Sequence, residues 1–172
     1  PGVLCLCRFG VEAVRPLLFL LLPYSAHQLP VERSEIEQLI PHRDPFLWID
    51  RVAELTETSI RAEKLIDPQL DVFRGHYPDF PVLPGVLILE ACFQAGAIFL
   101  GRTQEIDTAA VPVVTRVNNV KFRQMVRPGD TLDIEADLTD HVSNAFFFTA
   151  KASVGGKVAA RVEFACTAAA VE

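Results

Sequence analysis

What the sequence lacks narrows its function before any motif is read. It lacks an excess of positive charge: 16 lysines and arginines against 22 aspartates and glutamates give a net charge of -6. That balance argues against general nucleic-acid binding and confines any anionic partner to a local basic patch. It lacks a cysteine framework. Cys5 and Cys7 form only a C-x-C near the terminus, while Cys92 and Cys166 stand alone in apolar segments. Neither a metal site nor a disulfide scaffold is therefore expected, and the thiols are expected to be reduced, as in a cytoplasmic protein. No internal repeat and no domain linker is apparent. At 172 residues, half of them apolar and 22% charged, the chain is the size of one globular domain that can bury a core of its own.

The first 24 residues, "PGVLCLCRFGVEAVRPLLFLLLPY", are apolar, yet Arg8, Glu12 and Arg15 interrupt them and Pro16 and Pro23 bracket an apolar stretch of only six residues. That is too short to span a membrane, and it has no small-residue cleavage site. An amphipathic lead-in, a docking segment and added sequence all stand as readings, the absence of an initial Met leaning toward the last. Residues 1–24 are expected to form an apolar segment of unassigned role, and residues 25–172 the domain.

From Ser34 onward the pattern is regular. "SEIEQLI" has a candidate capping serine, Ser34, with Glu37 three residues on, and Pro41 stops the helix. "FLWIDRVAEL" and "SIRAEKLI" read as two strands joined at Thr56–Thr58. "VLILEACFQAGAIFLG" is apolar on nearly every face, a buried helix with Pro84 suited to its first turn and Gly101 to its end. Residues 110–122 are rich in valine. Residues 131–139 alternate, with Leu132, Ile134, Ala136 and Leu138 on one face and Asp133, Glu135 and Asp137 on the other. Residues 145–154 and 157–168 flank Gly155-Gly156, a hairpin signal, and Val158, Ala160, Val162, Phe164 and Cys166 share a face of the last strand. Two strands, one long apolar helix and four strands predict an α+β fold in which a curved antiparallel sheet wraps a single central helix.

The stretch "FRGHYPDFPVLPGVLILEACFQ" places one histidine, His76, in a loop braced by Pro78, Pro81 and Pro84. One acid, Glu90, is the sole carboxylate between Pro81 and Gly101. Histidine is the side chain best suited to exchange protons near neutral pH. A buried carboxylate must be paired or protonated, and desolvation favours the acid form. Gly85 sits where the N–H groups of a helix start have no intrahelical partner, and Gln94 lies one turn beyond Glu90, on the same side and within hydrogen-bonding reach. The plain alternatives are a histidine satisfied by the backbone of its turn, a helix-face glutamate that reaches solvent, and Pro84-Gly85 as turn chemistry alone.

"PHRDPFLWIDRV", "GHYPDFPVLPGVLILEACFQ" and "VKFRQMVRPGD" resemble, in the same order, the three signature stretches of the hotdog-fold 3-hydroxyacyl-[acyl-carrier-protein] dehydratases of fatty acid synthesis, FabZ type, over residues 34–169. The resemblance implies a hotdog fold and a lyase that acts without metal or organic cofactor on (3R)-3-hydroxyacyl groups carried by acyl carrier protein, giving the trans-2-enoyl thioester. It implies that His76 acts on the substrate proton, that Glu90 is the helix acid, and that the Gly85 amide holds the thioester oxygen. Substrate contacts would come from Gly85, Pro84, Gln94 and Phe93. The dehydratase-isomerase branch carries aspartate where this chain has Glu90, which argues against isomerisation. The resemblance also implies a homodimer, or a trimer of dimers, in which His76 of one subunit works with Glu90 of the other.

Other residues admit two readings. His42 in "PHRDPF" either supports or lines an acyl tunnel. Phe46, Trp48, Phe93 and Phe146–Phe148 either line that tunnel or belong to the core. Lys121, Arg123 and Arg127, the densest basic cluster, either dock an acidic carrier protein or form a solvated strand end. Many members of the family it resembles carry an aromatic residue just before the "KF" strand that helps gate the tunnel; "VPVVTRVNN" has none. Two rivals remain: a non-catalytic acyl-binding hotdog protein, which would be expected to lose His76 or Glu90, and a hotdog thioesterase, which would not need the G-H-Y-P loop.

Overall fold

The computed structural model describes residues 30–103 and 110–170; the expectations for residues 1–24, including Cys5 and Cys7, lie outside them. The elements are β1 (Val31–Glu32), α1 (Arg33–Leu39), β2 (Arg51–Leu55), β3 (Ser59–Leu65), a 3-10 turn (Asp71–Arg74), α2 (Gly85–Thr103), β4 (Ala110–Phe122), β5 (Thr131–Val142), β6 (Ala145–Val154) and β7 (Lys157–Ala170). They build one seven-stranded sheet in the order β1-β2-β3-β5-β6-β7-β4, antiparallel at every pairing.

The alternation in β5 decides which face of the sheet points inward: Leu132, Ile134 and Ala136 are fully buried, and the intervening acids face outward. Gly155 and Gly156 both have positive φ, 54° and 77°, as the tight turn between β6 and β7 requires. The sheet wraps α2, which touches β3, β4, β5, β6 and β7. Within the core Phe148 stacks on Phe164 with centroids 5.1 Å apart and meets the edge of Phe99 at 5.8 Å. Fully burying such a side chain stabilises the fold by roughly 1.5–3 kcal/mol. By length and composition α2 would also suit a membrane. Burial of Ile88, Ala91, Cys92, Ala95, Ile98 and Phe99 against the sheet accounts for that composition.

Three local expectations are corrected. Ser34 does not cap α1: the helix begins at Arg33 after Glu32, with no side-chain cap, because pairing of Glu32 with Arg51 keeps the backbone extended up to that point. Glu37 instead accepts from Arg33 Nε at 3.3 Å. The strand expected over residues 46–55 is ordered as β2 only from Arg51, since the backbone at Phe46 and Trp48 bonds to a helix side chain rather than to a neighbouring strand. Gly101 does not end α2, which runs on to Thr103; a Cβ at Gly101 would lie 2.9 Å from the Leu39 carbonyl oxygen, so close approach of α1 explains this glycine. The two-residue β1 has no signal of its own, being too short to show a period.

Candidate active site

His76 follows the 3-10 turn. Its backbone N–H donates to Val72 O at 2.9 Å, and the next residue, Tyr77, takes φ 55°, a left-handed conformation uncommon for a side-chain-bearing residue. The prolines at 78, 81 and 84 fix φ along the return to α2. This path brings the Val82 carbonyl to 2.7 Å from His76 Nδ1. A carbonyl only accepts, so Nδ1 carries the hydrogen and Nε2 of the neutral ring keeps its lone pair. The Tyr77 ring lies 4.4 Å from the imidazole. The loop therefore holds one histidine in one tautomer with its basic nitrogen free.

Glu90 and Gln94 share a face of α2, and Gln94 Nε2 donates to Glu90 Oε1 at 2.8 Å. Gln94 is 1% exposed. Its Oε1 accepts from the Trp48 N–H at 2.8 Å and its Nε2 also donates to the Phe46 carbonyl at 2.8 Å. Exchanging the amide's oxygen and nitrogen would set donor against donor and acceptor against acceptor, so the backbone of residues 46–48 fixes which end of Gln94 faces Glu90. The same segment places His42 Nε2 3.6 Å from Glu90 Oε1. No hydrogen bond or ion pair joins Glu90 to His76 within the chain. The histidine that the fold sets beside the helix acid is His42, and its only sequence signal is the quoted "PHRDPF".

Gly85 opens α2, with Pro84 before it accepting from the Leu87 N–H at 3.0 Å. A Cβ at Gly85 would lie 2.7 Å from the Phe122 ring, so a larger residue there would require that half-exposed ring to move aside. Phe122, from the "KF" motif, is thus the aromatic residue of this region that covers the helix start. Phe93 is half-buried with its ring edge on Phe164, centroids 5.0 Å apart. Trp48, Phe146 and Phe148 are buried in the core, while Phe46 is 50% exposed. Cys92, two residues from Glu90, is no rival nucleophile: burial pushes its thiol up to about 12, leaving almost no thiolate at neutral pH.

Lys121, Arg123 and Arg127 are all exposed. The Arg127 guanidinium lies 4.4 Å from the centroid of the Phe80 ring, so the basic cluster adjoins the His76 loop.

A FabA-like domain profile matches residues 40–163. The chain belongs to this family. Relatives named 3-hydroxyacyl-[acyl-carrier-protein] dehydratase FabZ include that of Clostridium perfringens, 42% identical over 73% of this chain and 90% of the relative. That of Caulobacter vibrioides is 41% identical over 82% and 90%, and that of Xanthomonas oryzae 38% over 85% and 97%. Among solved structures, the dehydratase heterocomplex ApeI:P from Xenorhabdus doucetiae superposes with a TM-score of 0.64 at 18% identity over 83% of this chain and 93% of that one. The PaaI protein of Escherichia coli superposes at 0.55 with 14% identity over 67% and 80%. These structural likenesses support the hotdog fold expected from the sequence.

Proposed function

We propose that this chain dehydrates (3R)-3-hydroxyacyl groups on acyl carrier protein to trans-2-enoyl thioesters in fatty acid biosynthesis, as a hydro-lyase. The observation that carries this reading is identity of 38–42% across 90–97% of the length of relatives bearing that name. The site chemistry agrees with it. His76 Nε2 takes the C2 proton, electrons from that C–H bond form the C2–C3 double bond, and the C3 hydroxyl leaves with a proton from Glu90 as water. Backbone N–H groups at the start of α2, with Gly85 first, hold the thioester oxygen as it gains charge. Pro84, Phe93 and Gln94 belong to the substrate site, Gln94 acting through Glu90.

The proposed active form contains at least two copies, with His76 of one facing Glu90 of the other. Supporting this are the absence of a hydrogen bond or ion pair between the two residues within one chain and the outer edge of β4, which pairs with no strand among the described residues. That edge carries exposed Val113, Val117, Val120 and Phe122, and an uncovered apolar sheet edge is a surface that proteins ordinarily cover.

The test is incubation with a 3-hydroxyacyl thioester and separation of enoyl product, free acid and unchanged substrate. Enoyl product is expected, and His76→Ala and Glu90→Gln are each expected to lose roughly a hundred- to ten-thousandfold in turnover while staying folded. Free acid as the product would establish a thioesterase, and unchanged substrate a non-catalytic binder.

A further inference from the structure

We propose that His42 is a positioning residue for Glu90, holding carboxyl oxygen Oε1 so that the proton delivered to the leaving hydroxyl resides on Oε2. This rests on the reading of Glu90 as the acid. Three observations carry it. Glu90 Oε1 already accepts from Gln94 Nε2 at 2.8 Å, and the Gln94 amide cannot turn round because Trp48 N–H and Phe46 O hold its two ends. A proton on Oε1 would point at a donor, so the acid proton belongs on Oε2.

His42 Nε2 then approaches that same Oε1 at 3.6 Å, while Nδ1 is buried without a hydrogen-bond partner among the described residues. The tautomer follows from these two facts. With hydrogen on Nδ1, a buried donor would be unpaired and the Nε2 lone pair would face a carboxyl oxygen. With hydrogen on Nε2, a donor faces that oxygen and only an acceptor is left unpaired. The 3.6 Å contact is longer than a hydrogen bond, as is common for catalytic contacts before substrate tightens the site.

His42 is itself held in place. Arg43 Nη1 donates to the carbonyls of Ile40 at 2.8 Å and His42 at 2.7 Å, and the Phe46 ring stacks beside the imidazole with centroids 6.4 Å apart. One segment, residues 40–48, thus anchors both groups that address Oε1.

The experiment compares His42→Phe, which keeps a flat ring but no donor, with His42→Gln, which can restore an N–H near the Nε2 position, and with Glu90→Gln. His42→Phe is expected to lower kcat by roughly ten- to a hundredfold, the scale of loss when a reacting group is displaced by about 1 Å. KM should stay close to its starting value, and His42→Gln should recover most of the lost turnover. Independently of activity, the imidazole 15N signals of His42 in the unaltered protein should report hydrogen on Nε2, and Glu90→Gln should move the Nε2 signal. Equal loss in both His42 variants would reduce its role to packing. A rise in KM at constant kcat would make it a tunnel wall, and hydrogen found on Nδ1 would overturn the proposal even if the variants failed to fold. Glu90→Gln with full turnover would sink the reading of Glu90 itself. An inactive Glu90→Gln beside a fully active His42→Phe would sink only the role of His42.

Discussion

Every polar atom of the Gln94 side chain has a partner, two of them backbone groups 46 and 48 residues away in sequence. Gln94→Leu would keep most of the volume but strand the Trp48 N–H and the Phe46 carbonyl, each at a cost of about 1–3 kcal/mol where water cannot replace the bond. It should also free the Glu90 carboxyl to rotate. Urea denaturation is expected to register the stability loss, and turnover per folded molecule should fall as well. A variant with full stability would mean that residues 46–48 had found other partners. Cys92 makes the complementary point: its place on the same helix gives it proximity without reactivity, because the burial that suits a core helix keeps the thiol protonated.

At the scale of elements, β4 joins the helix start to the basic cluster. Its last residue, Phe122, covers Gly85, so Lys121 and Arg123 flank the opening of α2, and among the described residues neither is in an ion pair within the chain. Positive charge beside the proposed substrate site favours an acidic carrier protein during encounter. Lys121→Glu combined with Arg123→Glu should lower kcat/KM for a carrier-bound substrate far more than for a small thioester mimic. The difference should shrink as salt rises, since exposed charges are screened beyond about 10 Å at 0.1 M. An equal loss on both substrates would place the damage in the fold or the acyl site.

For the whole molecule, the decisive question is whether one copy suffices. Mixing inactive His76→Ala chains with inactive Glu90→Gln chains, under conditions that let subunits exchange, should restore partial activity. Each mixed dimer has one site in which both groups are intact and one in which both are missing. Demonstrated exchange without recovered activity would assign both residues to a single chain and remove the reason for a shared site.

The sequence by itself determined the elements whose residues carry a period or a turn signal. The alternation of residues 131–139, the Gly155-Gly156 hairpin and the long apolar helix around Glu90 follow from local chemistry, because side-chain spacing and backbone freedom act over a few residues. The motif spacing also brought His76, Gly85, Glu90 and Gln94 into view. Only the tertiary structure decided what lay between distant segments: that β1 would pair before α1 and displace Ser34 as a cap, that Phe46 and Trp48 would serve Gln94 instead of extending β2, and that Phe122 would cover Gly85. It also set His42, rather than His76, beside Glu90 in the same chain. Each of these turns on a partner that reaches across tens of residues, and pairing at that range leaves no periodic trace in either segment alone.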